Sequence, residues 1–439
     1  MPQKCELFVV RDDQGPILYA PLRHLSARLN ESAVAAVGRR LNGGVLSEEE
    51  KSCLEILEKC SFFEPAEVPE PPMLPPTEVT LFPTDGCNLR CRYCYAGAAA
   101  RRHLMPAEVG KAAIDYVVRN AREQGASDFV VAFHGNGEPF TAFPLVRELC
   151  QYAYEAGEKN GLKPRLSAAT NGVLSEEQLD WLLAWFDGVN ISFDGLEELQ
   201  NRERPMADGS GSFPYVHRTL KRLNEAGKQF GIRATLTADG VDRLPEIAAF
   251  VLENYPGCDP LHVEPAWEAG RGLETGERMP DPDRFVEKFL EAEELLGGRM
   301  RLVFSAARMD TLSLSFCGVC RNSFVVTSEG IVTSCYEVSE EKDPRSSRYL
   351  YGKYDVNKAA FVFDEDRLAD LHTLRVDRMP YCENCFCKYH CSGDCAAKLL
   401  GLKAPADHTG SSRCRITRAL TLRQIQRTLS EQEGPKHER

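Results

Sequence analysis

Three cysteines stand close together in "TDGCNLRCRYCYAG", Thr84 to Gly97, at positions 87, 91 and 94. Thiolates at this spacing bind metals, yet a closed structural zinc site takes four ligands. Cys87, Cys91 and Cys94 supply three, so His103 or His134 would have to complete a zinc tetrahedron. A [4Fe–4S] cube gives another answer. Each of its irons takes one external ligand, so three thiolates leave one iron open to a small molecule. The C-x3-C-x2-C spacing suits ligands that must reach separate corners of a cube.

The chain holds 17 cysteines in 439 residues, and twelve of them fall in two groups, at 87–94 and 317–414. The second group reads "FCGVCRNSFVVTSEGIVTSCYEV" and then "PYCENCFCKYHCSGDC", with Cys414 beyond. The opening "MPQKCELFVVRDDQG" has no long apolar stretch after a basic start, so no export signal is expected and the location is read as cytoplasmic. A reducing cytoplasm does not keep structural disulfides, so dense thiols there point to metal ligation or redox work. Cys5, Cys53, Cys60, Cys150 and Cys258 are scattered and fit buried inert thiols. With 53 basic against 65 acidic side chains the net charge is −12. That balance disfavours nucleic acid or an anionic membrane as the main partner, because both reward a basic face. No run reaches ~18 consecutive apolar residues, so no membrane span is expected.

The elements that must position these groups follow from composition and period. "EPAEVPEPPMLPPTEV", Glu64 to Val79, carries six prolines and reads as a stiff linker, placed at 66–77. Before it, "CELFVV" and "PILYAP" flank "RDDQG" as a hairpin, and two helical stretches follow, giving a small α+β domain over 1–65. After it, short apolar or β-branched runs at "EVTLFPT", "DFVVAFHG", "RLSAATNG", "GVNISFDG", "IRATLTAD" and "PLHVEPAW" alternate with helical stretches. Strand–helix alternation means a parallel sheet, and six units predict a partial (β/α)6 barrel over 78–305. In such sheets ligands sit at the carboxyl ends of the strands, where the cysteine loop, "GNGEP", "TNG", "SFDG" and "EP" all fall. From 306 to 439 the pattern gives way to a cysteine-rich segment of little periodicity, ending in a basic helix-like tail.

With that order on the page, the cysteine loop and Tyr93 resemble the C-x3-C-x-aromatic-C signature of radical S-adenosylmethionine (SAM) enzymes. The resemblance implies that the open iron binds SAM, whose one-electron reduction releases a 5′-deoxyadenosyl radical that takes hydrogen from a substrate. It implies a backbone approach at Gly135 and Gly137, with Glu138 facing the SAM amine; Asn136 departs from the family's glycine. By the same resemblance Ser192 offers a hydroxyl, Asp194 orients neighbouring groups, and Arg204 pairs with the SAM carboxylate. Thr170 and Asn171 join this set, whereas Gln200 and Asn201 depart from the family pattern.

The second group resembles the SPASM domain, an extension of radical SAM enzymes that act mostly on peptides and proteins. The resemblance implies two auxiliary [4Fe–4S] clusters, three in all. Cys320, Cys335 and Cys395 would share one with Cys317 as a fourth ligand; Cys382, Cys385, Cys391 and Cys414 would hold the other. Cys387 is surplus. Structural zinc is the rival on spacing alone. Two substrate readings remain open. One is a maturase that crosslinks a ribosomally made peptide, whose leader segment adds a strand to the 1–65 domain. The other is an anaerobic sulfatase maturase, in which an aspartate base follows the cysteine of the Gly-x4-Cys element. Here that place holds Tyr336, with Glu337 next, and both are candidate catalytic residues. A flavodoxin or ferredoxin is the implied electron donor. A zinc-stabilised binding protein without catalysis is the reading of another class.

Overall fold

The computed structural model describes residues 6–68, 70, 72–96, 103–276, 278–399 and 411–433; Cys5 lies outside them. Strands β1 (Phe8–Asp12), β2 (Gly15–Ala20) and β3 (Leu25–Arg28) form an antiparallel meander. The sequence signals the β1–β2 hairpin but not β3. Helices Glu31–Leu41 and Glu48–Lys59 cover one face; Ser47 and Glu50 close a reciprocal capping box at the start of the second. Central strand β2 is buried on both sides. Leu18 and Ala20 pack on Val37, Leu54 and Leu57 of these helices, whereas Ile17 and Tyr19 join the main core. Of the scattered thiols, Cys150 and Cys258 are buried, but Cys53 and Cys60 are exposed, Cys53 beside the packed face of its helix and Cys60 at the cap that ends it.

The main sheet begins with the six expected parallel strands: β4 (Glu78–Leu81), β5 (Asp128–Phe133), β6 (Lys163–Thr170), β7 (Gly188–Ser192), β8 (Phe230–Leu236) and β9 (Cys258–Pro265). Their side chains alternate by the period of the pleat. Leu166 and Ala168, Val189 and Ile191, Ile232 and Ala234, Leu261 and Val263 are buried. The alternate set, including Ser192, Arg233, Thr235 and Glu264, faces the inside. Helices such as Ala107–Glu123, Phe143–Asn160 and Phe213–Glu225 cover the outside with Ile114, Val117, Leu149 and Leu220. The arrangement is the partial barrel that the alternation predicts.

Strand β10 (Leu302–Val303) adds in parallel to β9. At the opposite edge, β11 (Val325–Val326) adds in parallel to β4. The sheet then turns antiparallel through β12 (Ile331–Thr333), β13 (Leu350–Asp355) and β14 (Ala360–Phe363). The cysteine-rich segment is therefore more regular than its sequence suggests, and it shares one sheet with the barrel. Its strands are too short for a period-2 signal. The last helix, Ser412–Glu433, packs on helix Pro282–Leu296 and on β3.

Three polar contacts fasten the N-terminal meander to the cysteine-rich segment. Lys388 pairs with Glu6 at 2.7 Å, and Gln426 donates to Asp12 at 2.8 Å. Tyr19 Oη meets His390 Nε2 at 2.5 Å. His390 Nδ1 lies 3.1 and 3.2 Å from the carbonyls of Arg308 and Thr311, so Nδ1 carries the proton and the tyrosine hydroxyl donates to Nε2.

Candidate active site

The loops after β4 to β9 converge on an interior cavity of about 220 Å³. Its walls include Cys87, Cys91 and Cys94, together with Gly135, Gly137, Glu138, Thr170, Asn171, Ser192 and Arg204. Residues drawn from five separate stretches of chain thus meet at one site. A second lobe of about 650 Å³ adjoins it, lined by Cys317, Cys335, Cys395 and Tyr336. Both lobes share Tyr95, His134, Arg233, Glu264, Glu337 and Lys398, which makes them one chamber.

The cysteine loop is held from two sides. The Glu138 N–H donates to the Gly86 carbonyl at 2.8 Å. A Cβ at Gly137 would lie 2.3 Å from that same oxygen, so only glycine allows this approach. The sequence assigns Gly137 to an approach toward SAM; the structure shows an approach to the cysteine loop. On the far side, Arg271 donates to the carbonyls of Cys91 (2.8 Å, side chain) and Cys94 (2.9 Å, backbone). Gly270, at φ 53°, lets that segment in: a Cβ there would lie 2.2 Å from the Tyr95 carbonyl.

The motif residues are already organised. Glu138 is buried and accepts from Thr170 Oγ1 and the Asn171 N–H, both at 2.7 Å, and from the Phe140 N–H at 3.1 Å. Burial raises its pKa, and those hydrogen bonds oppose the rise. Tyr93 donates to Asp194 at 2.5 Å and accepts from Arg204 Nη1 at 2.8 Å. Asp194 also accepts from the Thr235 N–H at 3.0 Å. Arg204 is buried with its Nε unpartnered, a donor left over at the cavity wall. The two departures from the family pattern have local work. Gln200 accepts from the Asp194 N–H at 2.9 Å and donates to Ser212, also at 2.9 Å; Asn201 accepts from the Phe213 N–H at 2.9 Å. Asn136 donates to Ser339 of the cysteine-rich segment, tying the barrel loop to it.

Buried thiols fit the cluster reading. Burial pushes Cys91 up to about 12; Arg204 works against this, and Cys94 and Cys87 add to it. Such thiols stay neutral at pH 7 unless a cation replaces the proton, which iron would do. Other thiols of the cysteine-rich segment are buried near one another. Burial pushes Cys317 up to about 12, with Cys395 and Cys320 adding to it, and Cys335 is raised by burial and by Cys395. Burial likewise takes Cys382 to about 12, with Cys385 and Cys414 adding to it; burial raises Cys391 too, with Asp394 and then Cys414, Cys385 and Cys382 adding to it. Surplus Cys387 is buried beside Cys385, and its hydrogen bond lowers that thiol. Among the described residues, no three His, Cys, Asp or Glu side chains are placed to hold a single metal ion. His103 is bonded to Asp85 at 2.8 Å and faces a separate pocket, while His134 Nδ1 accepts from the Gly135 N–H at 2.7 Å.

Glu337 stands 3.4 Å from Lys398 Nζ and 3.8 Å from Arg345. Tyr336 bonds Thr80 at 3.1 Å and stacks on His134 with centroids 4.8 Å apart. Sequence reasoning did not single out the ion network beneath the chamber. Arg413 donates to Asp394 at 2.8 and 2.9 Å and to Glu264 at 2.9 Å, all three buried. Its signal was Glu264 at the end of a strand and Arg413 beside Cys414. Arg233 was missed too, although a charge inside a buried parallel strand marks an inward position.

Residues 81–249 match the Radical SAM superfamily. Those residues form a radical SAM domain. A cysteine-type anaerobic sulfatase-maturating enzyme of Clostridium perfringens (strain 13 / Type A) is 28% identical over 290 residues, covering 60% of this chain and 75% of that protein. Two solved structures share the fold of this chain. Native anSMEcpe with bound AdoMet and the Cp18Cys peptide superposes with a TM-score of 0.61 at 18% identity, covering 81% of this chain and all of that one. Streptococcus suis SuiB bound to the precursor peptide SuiA gives 0.54 at 16%, covering 92% and 97%. The radical SAM match over 81–249 speaks for an enzyme over a non-catalytic zinc-stabilised scaffold.

Proposed function

We propose that this radical SAM enzyme matures a ribosomally made peptide by forming an intramolecular crosslink, with Cys87, Cys91 and Cys94 holding the SAM-binding cluster. The continuous chamber carries this reading: its SAM-side lobe and the lobe walled by Cys317, Cys335 and Cys395 share six residues. When bound, SAM and its cluster supply the hydrogen-abstracting radical. Glu138, Thr170 and Asn171 would hold its methionyl group, while Arg204 and Ser192 would offer donors to its carboxylate and hydroxyls. Cys317, Cys320, Cys335 and Cys395 would hold one auxiliary cluster, placing an electron acceptor at the far wall; Cys382, Cys385, Cys391 and Cys414 would hold the other. Glu337, facing the chamber between Lys398 and Arg345, accepts the second proton. Residues 1–65 present an edge, β1, to which a leader segment adds a strand.

A second reading is the sulfatase maturase. The observation in its favour is Glu337 itself, a carboxylate in the chamber one residue past the place where that branch keeps its aspartate. Anaerobic co-expression with each short peptide encoded beside this chain, and with a sulfatase-derived peptide, tests both. Loss of two hydrogens from a neighbouring peptide, absent in Cys87→Ala, supports the crosslinking maturase. Modification of the sulfatase peptide alone overturns it in favour of the second reading.

A further inference from the structure

Among the described residues, every cation facing the chamber except one has a strong polar partner. Lys398 is paired with Glu337, Arg413 with Asp394 and Glu264, and Arg204 with Tyr93. Arg321 donates to Ser315 and Ser313 at 2.8 and 3.3 Å. Arg233 has no carboxylate partner. Its polar contact is a marginal 3.5 Å approach to His262 Nδ1. The adjacent carboxylate, Glu264, is already taken by Arg413, by His262 Nε2 at 2.8 Å and by the Ser305 N–H at 3.0 Å.

The position is an unusual one for a charge. Arg233 sits near the middle of β8, between buried Ile232 and Ala234. A strand inside a parallel sheet ordinarily spends such a position on an apolar or small residue. The guanidinium stays exposed to the chamber, where it borders both lobes, and its charge reaches His134, Tyr95 and Glu264. An arginine presents a rigid fork of donors matched to a carboxylate, and in a confined site that pairing is charge-assisted.

We propose that Arg233 is a carboxylate-binding subsite, holding an acidic side chain of the peptide beside the residue being modified; this rests on the peptide-maturase reading. The SAM carboxylate is the other source of the same chemistry. The position argues for the peptide: Arg204, with its unpartnered Nε, borders only the SAM-side lobe, whereas Arg233 also borders the lobe of Cys317, Cys335 and Cys395.

Phenylglyoxal labelling of the reconstituted enzyme, mapped by mass spectrometry, tests the site without knowledge of the natural peptide. N-acetyl-glutamate amide is expected to abolish labelling at Arg233, and N-acetyl-glutamine amide to leave it intact. Protection by SAM alone, with nothing added by the capped glutamate, would assign the carboxylate to SAM and overturn the proposal; so would equal labelling with both capped residues. Where co-expression yields a modified peptide, exchanging its critical Asp or Glu for the amide should raise KM about tenfold in the wild type and not further in Arg233→Gln. Additive losses would also overturn the subsite. Protection by capped glutamate with no peptide modified would retain the subsite and reject the maturase reading.

Discussion

At the scale of single residues, the Asp394–Arg413–Glu264 network couples the cysteine-rich segment to the end of β9. Arg413→Met would leave two buried carboxylates without their cation, at roughly 3–5 kcal/mol. Guanidinium denaturation should show that loss, with lower iron per chain because Asp394 adjoins Cys395. Arg413→Lys should recover only part, since an ammonium cannot bridge Asp394 with two bonds and also reach Glu264. Combining Arg413→Met with Asp394→Asn should be milder than the sum. A second expectation concerns His134, whose pKa is taken down to about 4 by burial and then by Arg233. The unfolded histidine takes up a proton near 6.5 and the folded one does not until about 4, so stability is full above 6.5 and falls as pH drops through that window. Denaturation at pH 7.0 and 5.5 should differ by about 1 kcal/mol more in wild type than in His134→Phe, which keeps the ring stack but does not titrate. The thiols and the motif residues were legible because their spacing is local. Arg413 and Arg233 were not, because their partners lie on distant strands that the sequence does not bring together.

At the scale of elements, the turn at 135–138 and the loop at 85–94 are a matched pair. Gly137→Ala would place a methyl 2.3 Å from the Gly86 oxygen, backbone that cannot move aside without shifting the cysteine loop. The expected outcome is a lower iron content and loss of the cluster's visible absorbance. Gly125→Ala, which has open space but a φ of 67°, should keep both and lose about 1–2 kcal/mol of stability. Elements with long periodic runs, such as helix Ala107–Glu123 and strands β4 to β9, are readable from the sequence. The two-residue strands β10 and β11 are not, since pairing partners and not local pattern define them.

At the scale of the molecule, the N-terminal meander bears on the loop that carries Cys382 to Cys391. Tyr19→Phe removes the hydroxyl donated to His390 and leaves a fully buried ring nitrogen unsatisfied, a loss of about 1–3 kcal/mol. Urea denaturation should show it, and limited proteolysis in the 66–77 linker should run faster in the variant. The −12 charge and the proline-rich linker were readable at this scale; the docking of β2 was not, because Tyr19 reads as an ordinary strand aromatic.

The pairing of β4 with β11 also orders events in time. The two strands are separated by roughly 240 residues. At about 5–20 residues per second, a ribosome needs roughly 12–50 s to deliver the second after the first. Throughout that interval the outer edge of β4 has no strand beside it, and a bare edge is a template for another nascent chain. Slower growth temperature and lower expression, which thin out neighbouring unfinished chains, should therefore raise the soluble yield of this enzyme before any cluster is assembled.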